Sequence, residues 1–151
     1  MAQTLTVSVL RGDPNLDAWA GGIHAHQSPL TLSLDWLSAV GGTVSLGIAT
    51  SYSEAMPDRR SHPQPTKVRG RLMRVDTIPD TGGTKPDINY AVSLLDANGV
   101  DLAAGGLVDR SDVTTETIGP FDSYLVDDEI TLTITGAGDG NGGTIILYLV
   151  P

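Results

Sequence analysis

Two histidines separated by one residue, His24 and His26, form the pattern in this sequence that most resembles a metal site. Alternate residues of a strand share a face, so both imidazoles could reach one ion. A structural zinc ion takes four ligands, and the others would have to come from Asp13, Asp17 or the distant His62. No third ligand stands at a diagnostic spacing. We therefore favour a polar pair in a loop and predict no metal site.

The segment Asp139-Gly140-Asn141-Gly142 resembles half of a calcium loop, because side-chain oxygens alternate with glycine. A complete loop needs further carboxylates and a distal Glu, whereas an apolar strand pattern follows here. A glycine-rich hairpin turn is the favoured interpretation. The chain has no cysteine, which excludes disulfides, cysteine-ligated zinc and thiol catalysis.

An acidic stretch occupies the second half of the chain. Its members are Asp109, Asp112, Glu116, Asp122, Asp127, Asp128 and Glu129. Two carboxyl groups held about 5 to 10 Å apart across a cleft could hydrolyse glycosidic bonds. The chain has one Phe and two Trp, so it offers few aromatic platforms for sugar, and charge runs are usually solvated. Motifs of serine nucleophiles, P-loops and dinucleotide-binding turns do not occur. We therefore predict a solvated acidic face, no enzyme activity and no cofactor.

The basic residues are segregated. Six of the nine lie within residues 59–74, and no acid stands between them. This basic segment comprises Arg59, Arg60, Lys67, Arg69, Arg71 and Arg74. It predicts a docking surface for an acidic partner, which could be the Asp-rich half of an identical neighbour. A strand whose outer face is basic, with no partner, is the alternative, and the sequence leaves both open.

Length and charge set the class of molecule. A chain of 151 residues fits one domain, residues 1–151, with a core of its own. The net charge of −9 argues against a nucleic-acid-binding surface, which needs clustered positive charge. The N-terminus lacks the pattern of a signal peptide, and no apolar run approaches the ~18 residues that span a bilayer. We expect a soluble protein made in a cytoplasm, with no membrane partner.

The elements that must position these residues are strands. Apolar residues recur with period two in residues 4–10, 30–36, 44–48, 67–72 and 130–134. Gly41-Gly42 between two of these runs predicts a hairpin. Residues 11–29 and 53–66 read as loops or arms, with one helical turn possible at 13–22. Met73 breaks the alternation, which predicts a bulge before Val75.

The second half of the chain adds further strands. Residues 88–95 are apolar enough for an inner strand, and 144–150 for a strand buried on both faces. Asn98-Gly99 predicts a turn, and 100–108 an irregular segment. About eight strands and no long helix predict an all-β, two-sheet sandwich with long loops, of which the jelly roll is one topology.

Residues 87–149 resemble a known family. The run Asn89-Tyr90-Ala91-Val92-Ser93-Leu94-Leu95-Asp96-Ala97-Asn98-Gly99-Val100-Asp101-Leu102 is followed by Gly105-Gly106 and Asp109-Arg110-Ser111. A closing hairpin from residues 130–134 through 143–149 completes the pattern. It is similar to the small β-sandwich decoration (cement) proteins of tailed bacteriophage capsids. The first 60 residues match only as a generic strand pattern.

This resemblance implies a virion structural protein. Such a protein has a jelly-roll-like domain, sits on the outside of the phage head, often as a trimer, and clamps neighbouring major capsid proteins. The arms at 11–29 and 53–66 are not part of the family pattern. Two alternatives stay open: a tail, baseplate or fibre-associated sandwich that binds host-surface carbohydrate, and a small glycan hydrolase that uses the acidic stretch.

Overall fold

The computed structural model describes residues 2–12, 22–25, 29–53 and 65–151. These residues form ten strands: β1 Thr4–Arg11, β2 Gly22–His24, β3 Leu30–Leu37, β4 Val44–Gly47, β5 Lys67–Pro79, β6 Ala91–Leu95, β7 Glu116–Ile118, β8 Val126–Asp128, β9 Thr131–Thr135 and β10 Gly142–Val150. Two single 3-10 turns, Ala49–Ser51 and Gly82–Thr84, are the helical elements of the described residues. None of the helices described there is long and apolar enough to cross a membrane.

The strands form two sheets, which confirms the predicted all-β sandwich. The large sheet has the order β1-β3-β10-β5-β2, and the short strands β7 and β8 also pair with β5. The small sheet has the order β4-β9-β6. Every pair is antiparallel except β2 with β5. Buried aliphatic residues of both sheets form one core, among them Leu32, Leu34 and Ile145 from the large sheet and Val92 and Leu132 from the small one.

Two connections predicted as hairpins are arches that cross between the sheets. β3 lies in the large sheet, whereas β4, beyond Gly41-Gly42, lies in the small sheet. In the same way, β9 lies in the small sheet and β10 in the large sheet. The prediction of a closing hairpin is therefore also wrong. Because β3 pairs with β10 and β4 pairs with β9, both arches connect the same two pairs of neighbouring strands.

The two arches stack on each other through hydrogen bonds. The buried Ser38 hydroxyl donates to the Gly138 carbonyl at 2.6 Å and accepts from the Asn141 amide at 3.1 Å. The backbones add Ala137 N–H to Gly42 C=O at 3.3 Å. A hairpin and an arch share the same local pattern of strand, glycine turn and strand, and contacts between the two turns, which are distant in sequence, decide between them.

The long strand β5 confirms the predicted bulge. Leu149 pairs with Leu72 and Tyr148 with Arg74, so Met73 is the extra residue. Met73 and Arg74 are both exposed, and the alternation resumes with the buried Val75.

Other boundaries differ from the prediction. The segment at 11–29 was predicted as a loop, but it contains β2, which pairs with the start of β5. Residues 13–21 and 26–28 of that segment, which include the predicted helical turn at 13–22 except Gly22, lie outside the described residues, as do residues 54–64 of the arm at 53–66. The predicted inner strand at 88–95 begins only at Ala91 and lies at the edge of the small sheet. On β10, Ile146 and Tyr148 are half-buried, so only one of its faces is fully buried.

The predicted turns after β6 are present. Gly99 has φ +79°, and its amide donates to the Asp96 carbonyl at 3.0 Å. Residues 100–108 contain no strand and turn repeatedly, as their glycines predict. The Asp101 carboxylate orders this segment, because it accepts the amides of Leu94, Ala103 and Gly105.

Candidate functional site

The basic residues of β5 lie on the outer face of the large sheet. Val68 and Leu72 point into the core, so Arg69 and Arg71 between them are exposed. After the Met73 bulge, Arg74 is on the same outer face. We call Lys67, Arg69, Arg71 and Arg74 the basic face of β5. Arg59 and Arg60, the other members of the predicted docking surface, lie outside the described residues.

Two of these four cations are paired within the molecule. Arg69 Nη1 lies 3.0 Å from Asp127 Oδ2, because β8 pairs with β5 in a register that sets the two residues opposite each other. Both side chains are exposed, 47% and 41%, so this ion pair is weak and can exchange partners. In the part of the chain that the structure describes, Lys67 and Arg71 make no ion pair.

Arg74 is held in a cluster with Asp76 and Tyr148. Its Nε and Nη2 atoms donate to the two Asp76 carboxylate oxygens, each at 3.1 Å. Its guanidinium carbon lies 4.3 Å from the centre of the Tyr148 ring, a cation–π distance. The Tyr148 hydroxyl donates to Asp76 Oδ2 at 2.9 Å. Asp76, two residues further along β5, and Tyr148 on the adjacent strand β10 thus hold the Arg74 side chain from two sides.

The same cluster determines the pKa of its carboxyl group. Burial alone would raise the pKa of Asp76. Hydrogen bonds from Arg74, Thr117 and Tyr148 outweigh burial and hold that pKa below its ordinary value. The bond to Asp76 is the main reason why the pKa of Tyr148 is raised. Asp76 is therefore a carboxylate at neutral pH.

Cross-strand pairing extends the cluster into a row over four strands. Arg74 pairs with Tyr148, Tyr148 with Thr31, and Thr31 with Arg11. These four residues, with Leu10 and Pro29, line an open cleft of about 620 Å³ on the outer face of the large sheet. Sequence reasoning identified Arg74 but missed Arg11 and Tyr148. No local signal connects them, because the row exists only through the register of β3 and β10.

Several carboxylates of the acidic stretch bond to groups within the fold. Asp109 accepts a bond from Asn89 at 3.0 Å, and Asp112 pairs with Lys85 at 2.8 Å. Glu116 accepts the Ser111 amide at 2.6 Å. These carboxylates, which were predicted to form a solvated face, fix loops and strand ends in the described residues.

The Asp127–Glu129 end of the stretch acts in the same way. Asp128 accepts the Ala97 amide at 3.3 Å, and Glu129 accepts the Ala49 amide at 3.1 Å. Burial raises the pKa of Glu129, and the bonds that it accepts offset this in part. The bond from the Ala49 amide lets this carboxyl anchor the turn after β4.

Of the residues considered as metal ligands, the structure describes the side chains of Asp139 and Asn141, whereas Asp13 and Asp17 lie outside the described residues. The Asp139 carboxylate accepts the Gly41 amide, and Asn141 Nδ2 donates to the Ala137 carbonyl at 2.9 Å. Both side chains therefore hold the stacked arches. His24 belongs to β2 by its backbone, whereas His26 and His62 are outside the described residues. Among the residues described, no three acidic or histidine side chains are grouped to hold a metal ion.

Comparisons of the chain with protein-family models, with curated proteins and with solved structures found no match. The resemblance to capsid decoration proteins therefore stays a prediction from the sequence. What the geometry adds is one outer sheet face that carries both the basic face of β5 and the cleft beside it.

Proposed function

We propose that this chain is a phage capsid decoration (cement) protein. It is made in the host cytoplasm, binds the outside of the head and stabilises contacts between major capsid proteins without catalysis. The observation that supports the proposal is the basic face of β5, an exposed cationic strand in a chain of net charge −9. A surface of this kind orients an acidic partner and speeds its docking.

The ion pairing on this face fits a docking role. Arg71 has no ion pair within the described residues, and Arg69 is held only by an exposed pair with Asp127. Exchange of such a pair for a partner carboxylate costs little free energy, because exposed pairs contribute about 0–1 kcal/mol. Self-association as a trimer is part of the proposal, since several weak contacts in one assembly add up through effective concentration.

The test uses shells of the phage whose genome encodes the chain, prepared without this protein. Purified protein is added and its binding is measured by co-sedimentation at several salt concentrations, together with the temperature at which the shells come apart. We expect binding, a higher disruption temperature and weaker binding at high salt. Light scattering on the free protein measures its oligomeric state.

A matched pair of variants tests the basic face. Arg71→Gln and Thr81→Glu each make the net charge more negative by one, and Thr81 is exposed beyond the other end of β5. Arg71→Gln should weaken shell binding several-fold, whereas Thr81→Glu should not. Failure of the native protein to bind, with shells equally heat-stable in its absence, would overturn the proposal.

One observation favours a second candidate. The cleft beside Arg74 and Tyr148 is concave, and its volume lies in the range of small-ligand sites. A tail, baseplate or fibre-associated sandwich that binds host-surface carbohydrate would use a site of this shape. Labelling of the tail rather than the head in electron micrographs would favour this role.

A further inference from the structure

The cleft on the large sheet has an ordered charge pattern. Along the row, Arg11 and Arg74 stand at the ends, and the hydroxyl-bearing Thr31 and Tyr148 lie between them. Three strand spacings separate the ends, so the two arginine backbones are about 14 Å apart. The cleft thus presents two hydroxyl groups side by side, with a cation at each end of the row.

Both cations can accept a ligand. In the described part of the chain, Arg11 has neither a hydrogen-bond nor an ion-pair partner for its guanidinium, although its charge reaches the Tyr148 hydroxyl strongly enough to oppose the rise of that group's pKa. Arg74 uses Nε and Nη2 for its partners, and no described residue engages Nη1. Because Asp76 and the Tyr148 ring already fix Arg74, a ligand orders one side chain fewer on binding.

We propose that this cleft binds an acidic saccharide whose linked sugar rings each carry a carboxylate, such as an oligomer of hexuronic acid. Arg11 and Arg74 take carboxylates of two rings, since guanidinium forks match carboxylate geometry. The hydroxyls of Thr31 and Tyr148 bond ring hydroxyls between them, and Leu10 and Pro29 supply apolar edges for the C–H faces of the rings.

The size and shape of the cleft favour a saccharide over the surface of a protein partner. Protein interfaces are broad, whereas this cleft is concave and of small-ligand volume. A repeating acidic sugar places hydroxyls between its carboxylates, which matches the order of donors along the row. The site does not require attachment to a capsid, so its test is separate from shell binding.

The test is calorimetric titration of the full chain with tetragalacturonate, with the neutral galactose tetrasaccharide and with tetraglutamate. We expect binding of tetragalacturonate alone. Arg11→Ala should weaken it about tenfold, the order of magnitude of one lost hydrogen bond to a charged group. Arg71→Ala should leave the affinity unchanged, because it also removes a cation from the same sheet face but lies outside the cleft.

Tyr148→Phe gives a second measurement, because it removes the central hydroxyl and keeps the ring under Arg74. It should weaken the binding of tetragalacturonate several-fold. Circular dichroism shows whether each variant is folded. The proposal is overturned if the neutral sugar binds equally well, if tetraglutamate binds as tightly as the uronate, or if both cleft variants bind like the native chain.

Discussion

Asp76 carries a negative charge on a sheet face that is otherwise basic at this point. Its side chain is only 10% exposed, and it receives both Arg74 donors and the Tyr148 hydroxyl. These bonds stabilise the carboxylate more than burial destabilises it, which is why the pKa of Asp76 is lowered. The residue pairs with Nε and Nη2 of one arginine of the basic segment and fixes its direction, and Nη1 of that arginine has no partner among the described residues.

Replacement of Asp76 by Asn should destabilise the fold in a pH-dependent way. The folded-state pKa of Asp76 is lowered, so its stabilising effect is complete above the unfolded value of about 3.9 and disappears as pH falls through the folded value. At pH 7 we expect Asp76→Asn to lower the free energy of unfolding by about 2 kcal/mol. In urea titrations at pH 3, the difference should be clearly smaller.

The control for this prediction is Asp127→Asn. That substitution also removes the carboxylate of an arginine pair, but both side chains of its pair are exposed. We expect a loss below about 1 kcal/mol at neutral pH. An Asp76→Asn loss of equal size at pH 7 and pH 3 would show that the carboxylate charge is not what stabilises the cluster.

At the level of the elements, alanine substitution of two neighbouring glycines should destabilise the stacked arches to different degrees. Gly41 and Gly42 both have positive φ, +93° and +75°, so alanine strains the backbone at either. An alanine Cβ at position 42 would also lie 2.3 Å from the Gly138 amide nitrogen, whereas nothing lies within 4 Å of one at position 41.

We therefore expect Gly41→Ala to cost about 1–2 kcal/mol and Gly42→Ala several kcal/mol more. Thermal unfolding of both variants measures the difference. Because both substitutions place alanine at a positive φ, a large excess at position 42 reports the contact between the arches. Equal costs would contradict the stacked arrangement.

Deletion of Met73 should be tolerated in spite of its place in the middle of β5. Without it, Leu72 would face inward, Arg74 outward and Val75 inward, and the pairing with β10 would be continuous. The loss is the bond from the Phe121 amide to the Met73 carbonyl, about 1 kcal/mol. Deletion of Thr77 instead would reverse the faces of one half of the strand and should prevent folding. Hydrogen exchange of β10 amides distinguishes the two outcomes.

Period-two patterns predicted the long strands and the Met73 bulge, because each depends on neighbours in the sequence. The pairing of strands was not predicted: the arches at Gly41-Gly42 and at residues 136–141 share the local pattern of hairpins. The three-residue strands β2, β7 and β8 are too short to show a period. For the site, the cations on β5 were predicted, whereas Arg11 joins them only through the register of β1, β3 and β10.

For the whole molecule, the distribution of charge gives the large sheet a distinct role. Many of the carboxylates are used internally, where they accept hydrogen bonds from loop amides or form ion pairs such as Lys85–Asp112. The basic face of β5 and the cleft share Arg74 and lie on one side of the molecule. A partner that covers this side would meet both, so the proposed capsid contact and the proposed saccharide would compete for Arg74.

The central position of β10 has a mechanical consequence. This strand is bonded along its length to β3 on one side and to β5 on the other, antiparallel to both. Tension applied along β10 loads both ladders in shear, and their bonds must break together rather than one after another. A molecule proposed to stabilise contacts between capsid proteins would thus resist pulling along β10 with two full ladders at once.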